Sequence, residues 1–277
     1  MTCSRCISAC LLVMLAIGSV VAAESAADYL KKGKEAWEQR KHEEALALLS
    51  RAIALDPKNA EAYYYRGVVN SHLITDEELD QGIADFTEVM RLNGNFPRVR
   101  YQRGKAYLMR GKYKEALPDL SEAIRENPKD AEAIAERAVL YGRMGDYAKA
   151  IADAKQVVHL TPRSASGHGI LARVLACCPE AKYRDGKQAL KHAREACKLT
   201  DWKHRSALSA LAAAHAELGQ FDEAVKWQTK AIELASSRIT KELEEKRLAL
   251  YKDRKALRMR GTEEYGESVK AQGSKKE

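Results

Sequence analysis

The sequence predicts an all-α protein, a solenoid of antiparallel helix pairs, and two observations carry this prediction. Aromatic residues make up only 6% of the 277 residues and there are six prolines, a composition that favours helices. Small residues also recur at fixed offsets before loop prolines, and Pro128 and Pro162 are 34 residues apart. A period of this length indicates repeated helical hairpins that stack side by side, because one hairpin cannot bury its apolar face alone.

The first 23 residues stand apart from this pattern. Their one charge is Arg5, and the uncharged run over residues 7–23 ends in small residues at Ala23. A short positive start, an apolar stretch and a small-residue cleavage point are typical of a secretory signal peptide. We expect cleavage after Ala23 and an exported protein, periplasmic or secreted, without a membrane span. The alternative is an uncleaved anchor, which would need roughly 20 apolar residues, whereas this run is shorter and Gly18 interrupts it.

The helix pairs follow from a recurring set of residues. Two antiparallel helices approach closely only where a small side chain lies at their crossing, so the glycines and alanines of the set mark the crossings. The proline of the set ends each pair, since it cannot continue a helix. The set Gly33, Ala45, Leu49, Ala52 and Pro57 recurs as Gly104, Ala116, Leu120, Ala123 and Pro128, and again as Ala138, Ala150, Ala154, Val157 and Pro162.

Turn residues define the ends of the predicted helices. Gly111, Gly145 and Gly219 each stand two positions before an aromatic residue. We expect these glycines to close the first helix of a pair in a left-handed conformation. Between pairs, a proline-containing segment stops one helix and offers a polar N-cap to the next. These segments are residues 56–59, 127–130 and 161–164.

The same pattern divides the whole chain. Six pairs are predicted, and insertions lengthen the second near residues 74–79 and the fifth near residues 179–186. A final amphipathic helix is expected to cap the last apolar face, and the polar tail after it is expected to be disordered. The predicted segments are a signal peptide (1–23), a solenoid (24–238) with units 26–59, 60–96, 97–130, 131–164, 165–204 and 205–238, a capping helix (239–260) and a tail (261–277).

This period and pattern resemble the tetratricopeptide repeat (TPR) family over residues 26–238. The fifth unit, with a long turn from Cys178 to Lys187 and with Trp202 after its second helix, resembles a unit of exported bacterial multi-TPR proteins. The resemblance implies a right-handed superhelix of about six units whose first helices line a concave groove. It also implies a non-enzymatic protein that binds another protein or a peptide.

In a TPR superhelix the second, fifth, sixth, ninth and twelfth places of each unit face the groove. Read at these places, the middle of the groove combines tyrosines with arginines and lysines. Such side chains suit an extended peptide, with carboxylates against the cations and apolar groups against the rings. Recognition is expected to centre on units two to four, with Arg98 and Tyr101 exposed. The candidate groove residues are Lys34, Trp37, Tyr64, Tyr65, Arg98, Tyr101, Gln102, Lys105, Arg143 and Arg173, with Ser71 and Glu136 beside them.

Charge and polar motifs do not point to nucleic acid or to catalysis. The net charge of +8 comes from 47 basic and 39 acidic residues interleaved at helical spacing, which is typical of a solvated surface. The seven histidines lack metal-ligand spacing, and there is no glycine-rich phosphate loop or nucleophile elbow. The sequence therefore predicts no enzyme, no cofactor, no metal site and no nucleic-acid partner.

Three cysteines remain after the predicted cleavage, Cys177, Cys178 and Cys197. An odd number does not indicate a disulfide framework. Cys178 is expected at the end of the first helix of its pair, close to the start of the second, and Cys197 near the end of that second helix. They would be roughly 16 Å apart along its axis, whereas bonded cysteines hold their α-carbons within ~7 Å. We expect small buried thiols that take the place of alanine.

The sequence thus predicts an adaptor of the cell envelope that holds a protein or peptide in its groove. Two alternatives remain open. One is a self-assembling module in which two copies pair through the terminal helix to form homo-oligomers. The other is an accessory subunit of an envelope enzyme or a secretion complex.

Overall fold

The computed structural model describes residues 24–73 and 75–259, and every regular element in these ranges is helical. The predicted signal peptide and the predicted tail lie outside the described residues. Thirteen α-helices run through the described part of the chain, with a single 3-10 turn at Ala181–Tyr183 in the long loop of the fifth pair. They are α1 (Ala26–Glu38), α2 (His42–Leu55), α3 (Ala60–Leu73), α4 (Asp76–Leu92), α5 (Val99–Met109), α6 (Tyr113–Glu126), α7 (Ala131–Met144), α8 (Tyr147–Leu160), α9 (Ala165–Cys177), α10 (Gly186–Leu199), α11 (Arg205–Glu217), α12 (Phe221–Glu233) and α13 (Arg238–Lys252).

The helices form two layers. Each odd-numbered helix from α1 to α11 packs most extensively on the even-numbered helix that follows it, which makes six pairs. The first helices of successive pairs also pack on one another, and no comparable packing joins the second helices within the described residues. The first helices are therefore the inner layer of the stack and the second helices the outer layer. The predicted all-α solenoid of helix pairs is confirmed.

The turns and caps lie where the sequence predicts them. Gly111, Gly145 and Gly219 have φ values of +78°, +84° and +73°, the left-handed conformation that ends a helix at little cost for glycine. In the first pair Arg40 takes the same conformation, with φ of +60°. At the starts of helices, side-chain oxygens accept hydrogen bonds from first-turn amides, as the Asp130 carboxylate does from Glu132 and Ala133.

The crossing of α3 and α4 shows how closely the paired helices approach. A Cβ atom on Gly67 would lie 2.8 Å from Cε1 of Phe86, a ring that is fully buried. We predict that Gly67→Ala lowers the free energy of unfolding by about 1–3 kcal/mol, because the ring has no space to retreat and the overlap outweighs the better helix propensity of alanine. Urea denaturation followed by circular dichroism measures this change. A Gly94→Ala variant, where a Cβ meets its nearest neighbour at 3.7 Å, is the matched control.

A repeated ion pair ties the two helices of the second, third and fourth pairs together. In each pair an arginine of the inner helix donates two hydrogen bonds, from Nε and Nη2, to an aspartate of the outer helix over 2.7–3.0 Å. The aspartates are buried, and such bidentate contacts combine charge with fixed geometry. We call these the arginine–aspartate clamps: Arg66–Asp85, Arg103–Asp119 and Arg137–Asp153.

The last helix, α13, covers the end of the stack. It packs against α12, and Ser237 caps its start in a reciprocal pair with Thr240. The helix ends at Lys252, eight residues before the end of the predicted range, where Arg254 takes a left-handed φ of +55°. The apolar side chains that follow pack back onto α9 and α11 instead of extending the helix into solvent. We call residues 254–259 the C-terminal strap.

The cysteines of the described residues, Cys177, Cys178 and Cys197, are buried and unbonded, in agreement with the expectation of small buried thiols. Burial raises the pKa of the Cys177 thiol to about 11 and that of Cys197 to about 12, so both are protonated at neutral pH. No helix of the described residues is long and apolar enough to span a bilayer.

Candidate functional site

The candidate groove residues lie on the inner layer, on α1, α3, α5, α7 and α9, except for Arg98, which is the N-cap residue directly before α5. On α1, the Lys34 ammonium donates to the Glu61 carboxylate over 2.7 Å and lies 4.8 Å from the centre of the Tyr65 ring. The hydrogen bond to Glu61 raises the pKa of Lys34. The lysine side chain is 35% exposed. A cation on an aromatic face at the surface can meet an incoming carboxylate without losing its ring contact.

Trp37 lies in an aromatic cluster that the sequence analysis missed. Its ring centroid is 5.1 Å from that of His72, in an edge contact, and 5.4 Å from that of His42. His72 stands at the thirteenth place of its unit, one position beyond the five groove places and the same place that Arg143 holds in unit four. Reading that place in every unit would have identified it.

Tyr64 packs between the second and third pairs. Its ring is 6.0 Å from that of Phe86 and 4.9 Å from that of Phe96, centroid to centroid. Its hydroxyl accepts a long hydrogen bond of 3.5 Å from the amide of Gln102. Tyr64 therefore stabilises the contact between two units, and Gln102 offers the polar group on this part of the inner face.

Arg98 and Tyr101 differ in exposure. The Arg98 side chain is 47% exposed, pairs with Glu132 and lies over the Tyr101 ring at 4.5 Å from its centre. Tyr101 is only 6% exposed, so the expectation that it is exposed is wrong. It belongs to the apolar cluster between the third and fourth pairs, which includes Leu120 and Leu140. Burial raises the pKa of its hydroxyl, which stays protonated.

Lys105 lies on α5, the inner helix that packs on both α3 and α7. Its ammonium lies 6.0 Å from the centre of the Tyr101 ring, and no described carboxylate forms a salt bridge with it. Burial raises the pKa of the nearby Glu136 carboxyl, and Lys105 opposes that rise. Lys105 is half-buried and its charge acts on Glu136, but no salt bridge with a described carboxylate holds its ammonium.

The other end of the inner face is closed. Arg143 and Arg173 are half-buried on α7 and α9. Beyond them, Ala210 and Ala213 are 5% and 4% exposed, in a cluster against which the C-terminal strap packs. The strap that covers these alanines joins residues far apart in the chain, so no local sequence pattern indicates it.

Comparison with known proteins fits this geometry. Models described as TPR repeat or tetratricopeptide repeat match residues 33–72, 71–131, 101–165 and 205–236. Together these matches cover more than half of the chain. The chain belongs to the tetratricopeptide repeat family. TPR proteins act in general as non-enzymatic scaffolds for protein interactions, and the helix-pair stack with its inner face is of that general kind.

Individual relatives of this TPR protein are distant. DnaJ homolog subfamily C member 7 of Homo sapiens is 30% identical over 89 residues, which is 31% of this chain and 17% of that protein. The chain therefore spans less than a fifth of this curated relative. The structure of MamA from Desulfovibrio magneticus RS-1 has a TM-score of 0.56 at 23% identity and covers 64% of this chain and 96% of its own. The structure of PilF of Pseudomonas aeruginosa has a TM-score of 0.61 at 16% identity and covers 80% of this chain and 96% of its own. These structures share the fold.

The described residues contain no group of three or more His, Cys, Asp and Glu side chains placed to hold a metal ion. Two histidines do meet, since Nδ1 of His168 and Nδ1 of His192 are 2.9 Å apart, but Nε2 of His168 lies 3.0 Å from the Pro162 carbonyl oxygen. That imidazole pair joins α9 to α10 within one unit.

Proposed function

We propose that this TPR protein is a non-catalytic adaptor of the cell envelope that binds an extended, acidic peptide segment of a partner protein across the inner face of its first four units. Lys105 carries this proposal, because it is a cation of the third inner helix without a salt bridge to any described carboxylate. Lys34 on α1 and Arg98 at the start of α5 each lie against a tyrosine ring.

The neighbouring cations do have carboxylate partners, yet these contacts are weak. The Lys34–Glu61 and Arg98–Glu132 pairs have side-chain exposures of 35% and 43%, and of 47% and 67%. Exposed ion pairs contribute about 0–1 kcal/mol each. A carboxylate of a ligand can replace Glu61 or Glu132 at little cost, and the tyrosine rings then bind its apolar side chains.

The envelope location rests on the N-terminal sequence. Residues 1–23 have the charge and apolar pattern of a secretory signal. An accessory role in an envelope enzyme or secretion complex would use the same inner face and differ only in the identity of the partner.

The charge preference can be tested with three fluorescent peptides that share their apolar residues and carry Glu, Gln or Lys at the remaining positions. We expect the Glu peptide to bind at least tenfold more tightly than the Lys peptide, with an affinity that falls as salt is raised. Equal binding of the three peptides, measured by fluorescence anisotropy, would contradict the proposal.

Self-assembly is a second candidate, and one observation favours it. On α13, Ile239 is 68% exposed and Leu243 is 39% exposed, which leaves an apolar stripe at the end of the stack. If two copies pair through this stripe, sedimentation shows a dimer that Ile239→Lys dissociates. A monomer at all concentrations rejects this candidate.

A further inference from the structure

The C-terminal strap lies in the groove as a bound peptide would. After the left-handed Arg254, the chain runs back along the ends of the inner helices, from α11 past α9 to α7. Its path crosses the twelfth places of units four, five and six, which are Gly142, Ala176 and Ala216. These are groove places by the family pattern, although the strap is part of the same chain.

Three consecutive residues of the strap make specific contacts. The Leu257 side chain packs with the apolar cluster that includes Ala216 and Tyr251. The Arg258 guanidinium lies 2.7 Å from a carboxylate oxygen of Glu217. The Met259 amide donates to the Cys177 carbonyl oxygen over 2.6 Å. An apolar contact, a charge contact and a backbone hydrogen bond at successive residues are the features by which grooves recognise extended peptides.

The carboxylate that forms an ion pair with Arg258 is held in place by the fold. Glu217 ends α11, and its other carboxylate oxygen accepts from Nε of Arg184 over 2.8 Å. Arg184 is held in turn, since its Nη1 donates to the carbonyl oxygens of Cys178 and Pro179. Arg184 belongs to the insertion of the fifth unit, so the insertion fixes the carboxylate that receives Arg258. The Glu217 side chain is only 14% exposed, which strengthens its attraction for a second cation.

The apolar part of the site is shaped for a large side chain. Met259 packs with the cluster of Tyr147, Val174 and Cys178, and its Cε lies 3.3 Å from where a Cβ on Gly142 would be. The absence of a side chain at Gly142 leaves the space that the methionine uses. The carbonyl of Cys177 is at the end of α9, where helix carbonyls lack partners within the helix. An extended segment that supplies an amide there satisfies it.

We propose that the surface under the strap is a second peptide-binding site, specific for a segment with an arginine between two large apolar residues, and that Leu257-Arg258-Met259 occupies it in cis. A partner segment of that chemistry binds by displacing the strap. This site is distinct from the basic face around Lys105, and its test uses different residues, so either proposal can fail without the other.

The test measures binding to full-length protein whose strap has been released by Arg258→Glu with Met259→Asp. The probe is a fluorescent synthetic peptide of residues 253–259. We expect at least tenfold tighter binding to the released variant than to the parent, because in the parent the tethered strap competes at a high effective concentration. The affinity should fall at least fivefold in two controls. One is the peptide with alanine in place of its second arginine, and the other is the released variant that also carries Glu217→Gln.

Thiol labelling reports on the strap independently of the peptide. Release of the strap should speed the reaction of Cys177 and Cys178 with a maleimide at least tenfold. The reaction rate of Cys197 should stay the same, and this unchanged rate would show that the solenoid remains folded. Equal peptide affinity for parent and released variant would overturn the site, even if the thiols react faster. Binding that is indifferent to Glu217→Gln would overturn the role of the arginine. Thiol protection that depends on protein concentration would show that the strap docks on a second copy, which contradicts occupancy in cis.

Discussion

Glu244→Ala is expected to detach the last helix and to lower the free energy of unfolding by about 3–5 kcal/mol. The Glu244 carboxylate is fully buried, and it accepts hydrogen bonds from Arg205, Arg247, Ser209 and Gln228. Removing it leaves two arginines facing each other without their counter-ion. Because repeats contact only their neighbours, the damage should stay near α13. Hydrogen exchange should show α11 to α13 losing protection while α1 to α8 keep theirs.

The neighbouring residue provides a matched control. Glu245 is exposed on the same helix, and Glu245→Ala should change stability by less than about 0.5 kcal/mol. Burial acts to raise the pKa of Glu244, but Arg247 and the hydrogen bonds from Gln228 and Ser209 outweigh it, so the net pKa lies below the ordinary 4.5. Its contribution is therefore complete above about pH 4.5 and is lost as the pH falls through the lowered value. If Glu244→Gln loses as much stability on acidification as the parent does, this assignment is wrong.

Asp119→Ala is expected to cost about 3 kcal/mol, since it leaves the Arg103 guanidinium largely buried without its partner. The double variant Arg103→Met with Asp119→Leu should recover most of that loss, because apolar side chains of similar size often replace a buried ion pair without cost. Urea denaturation of the parent, of Arg103→Met, of Asp119→Leu and of the double variant gives the coupling free energy between the two side chains.

The outcome distinguishes charge from packing in the arginine–aspartate clamps. Near-additive losses in the double variant would mean that Arg103 and Asp119 contribute mainly by filling space. Arg125 and Glu122, an exposed pair on α6, provide a control: Glu122→Ala should cost less than about 1 kcal/mol.

Much of this fold could be predicted from the sequence because its rules are local. The left-handed glycines, the proline-containing caps and the small crossing residues each follow from steric limits on a few neighbouring positions, and the structure places Gly111 and Asp130 accordingly. The arginine–aspartate clamps escaped notice although they recur, since a spacing of 16 residues between Arg103 and Asp119 crosses a turn. Comparing equivalent places of the units would have revealed them.

The candidate groove was less predictable, because the exposure of its residues depends on distant parts of the chain. Tyr101 stands at a groove place but is buried by the next unit, and the place alone cannot show how deep a large ring sinks. The strap and Tyr251 of α13 pack against the alanines of α11, a contact that no local sequence pattern indicates. Residues 82 positions apart meet where Arg258 reaches the Ala176 carbonyl, and no periodic pattern indicates such a contact.

The central claim, that the basic inner face binds a partner, is tested most directly by one pair of charge reversals. Lys105→Glu reverses a charge of the inner face, and Lys155→Glu makes the same change at an exposed position of the outer helix α8. Partners captured from envelope extract by the parent would be identified and their dissociation constants measured against all three proteins. The proposal predicts at least tenfold weaker binding to Lys105→Glu and unchanged binding to Lys155→Glu. Equal affinity for the two variants would contradict it.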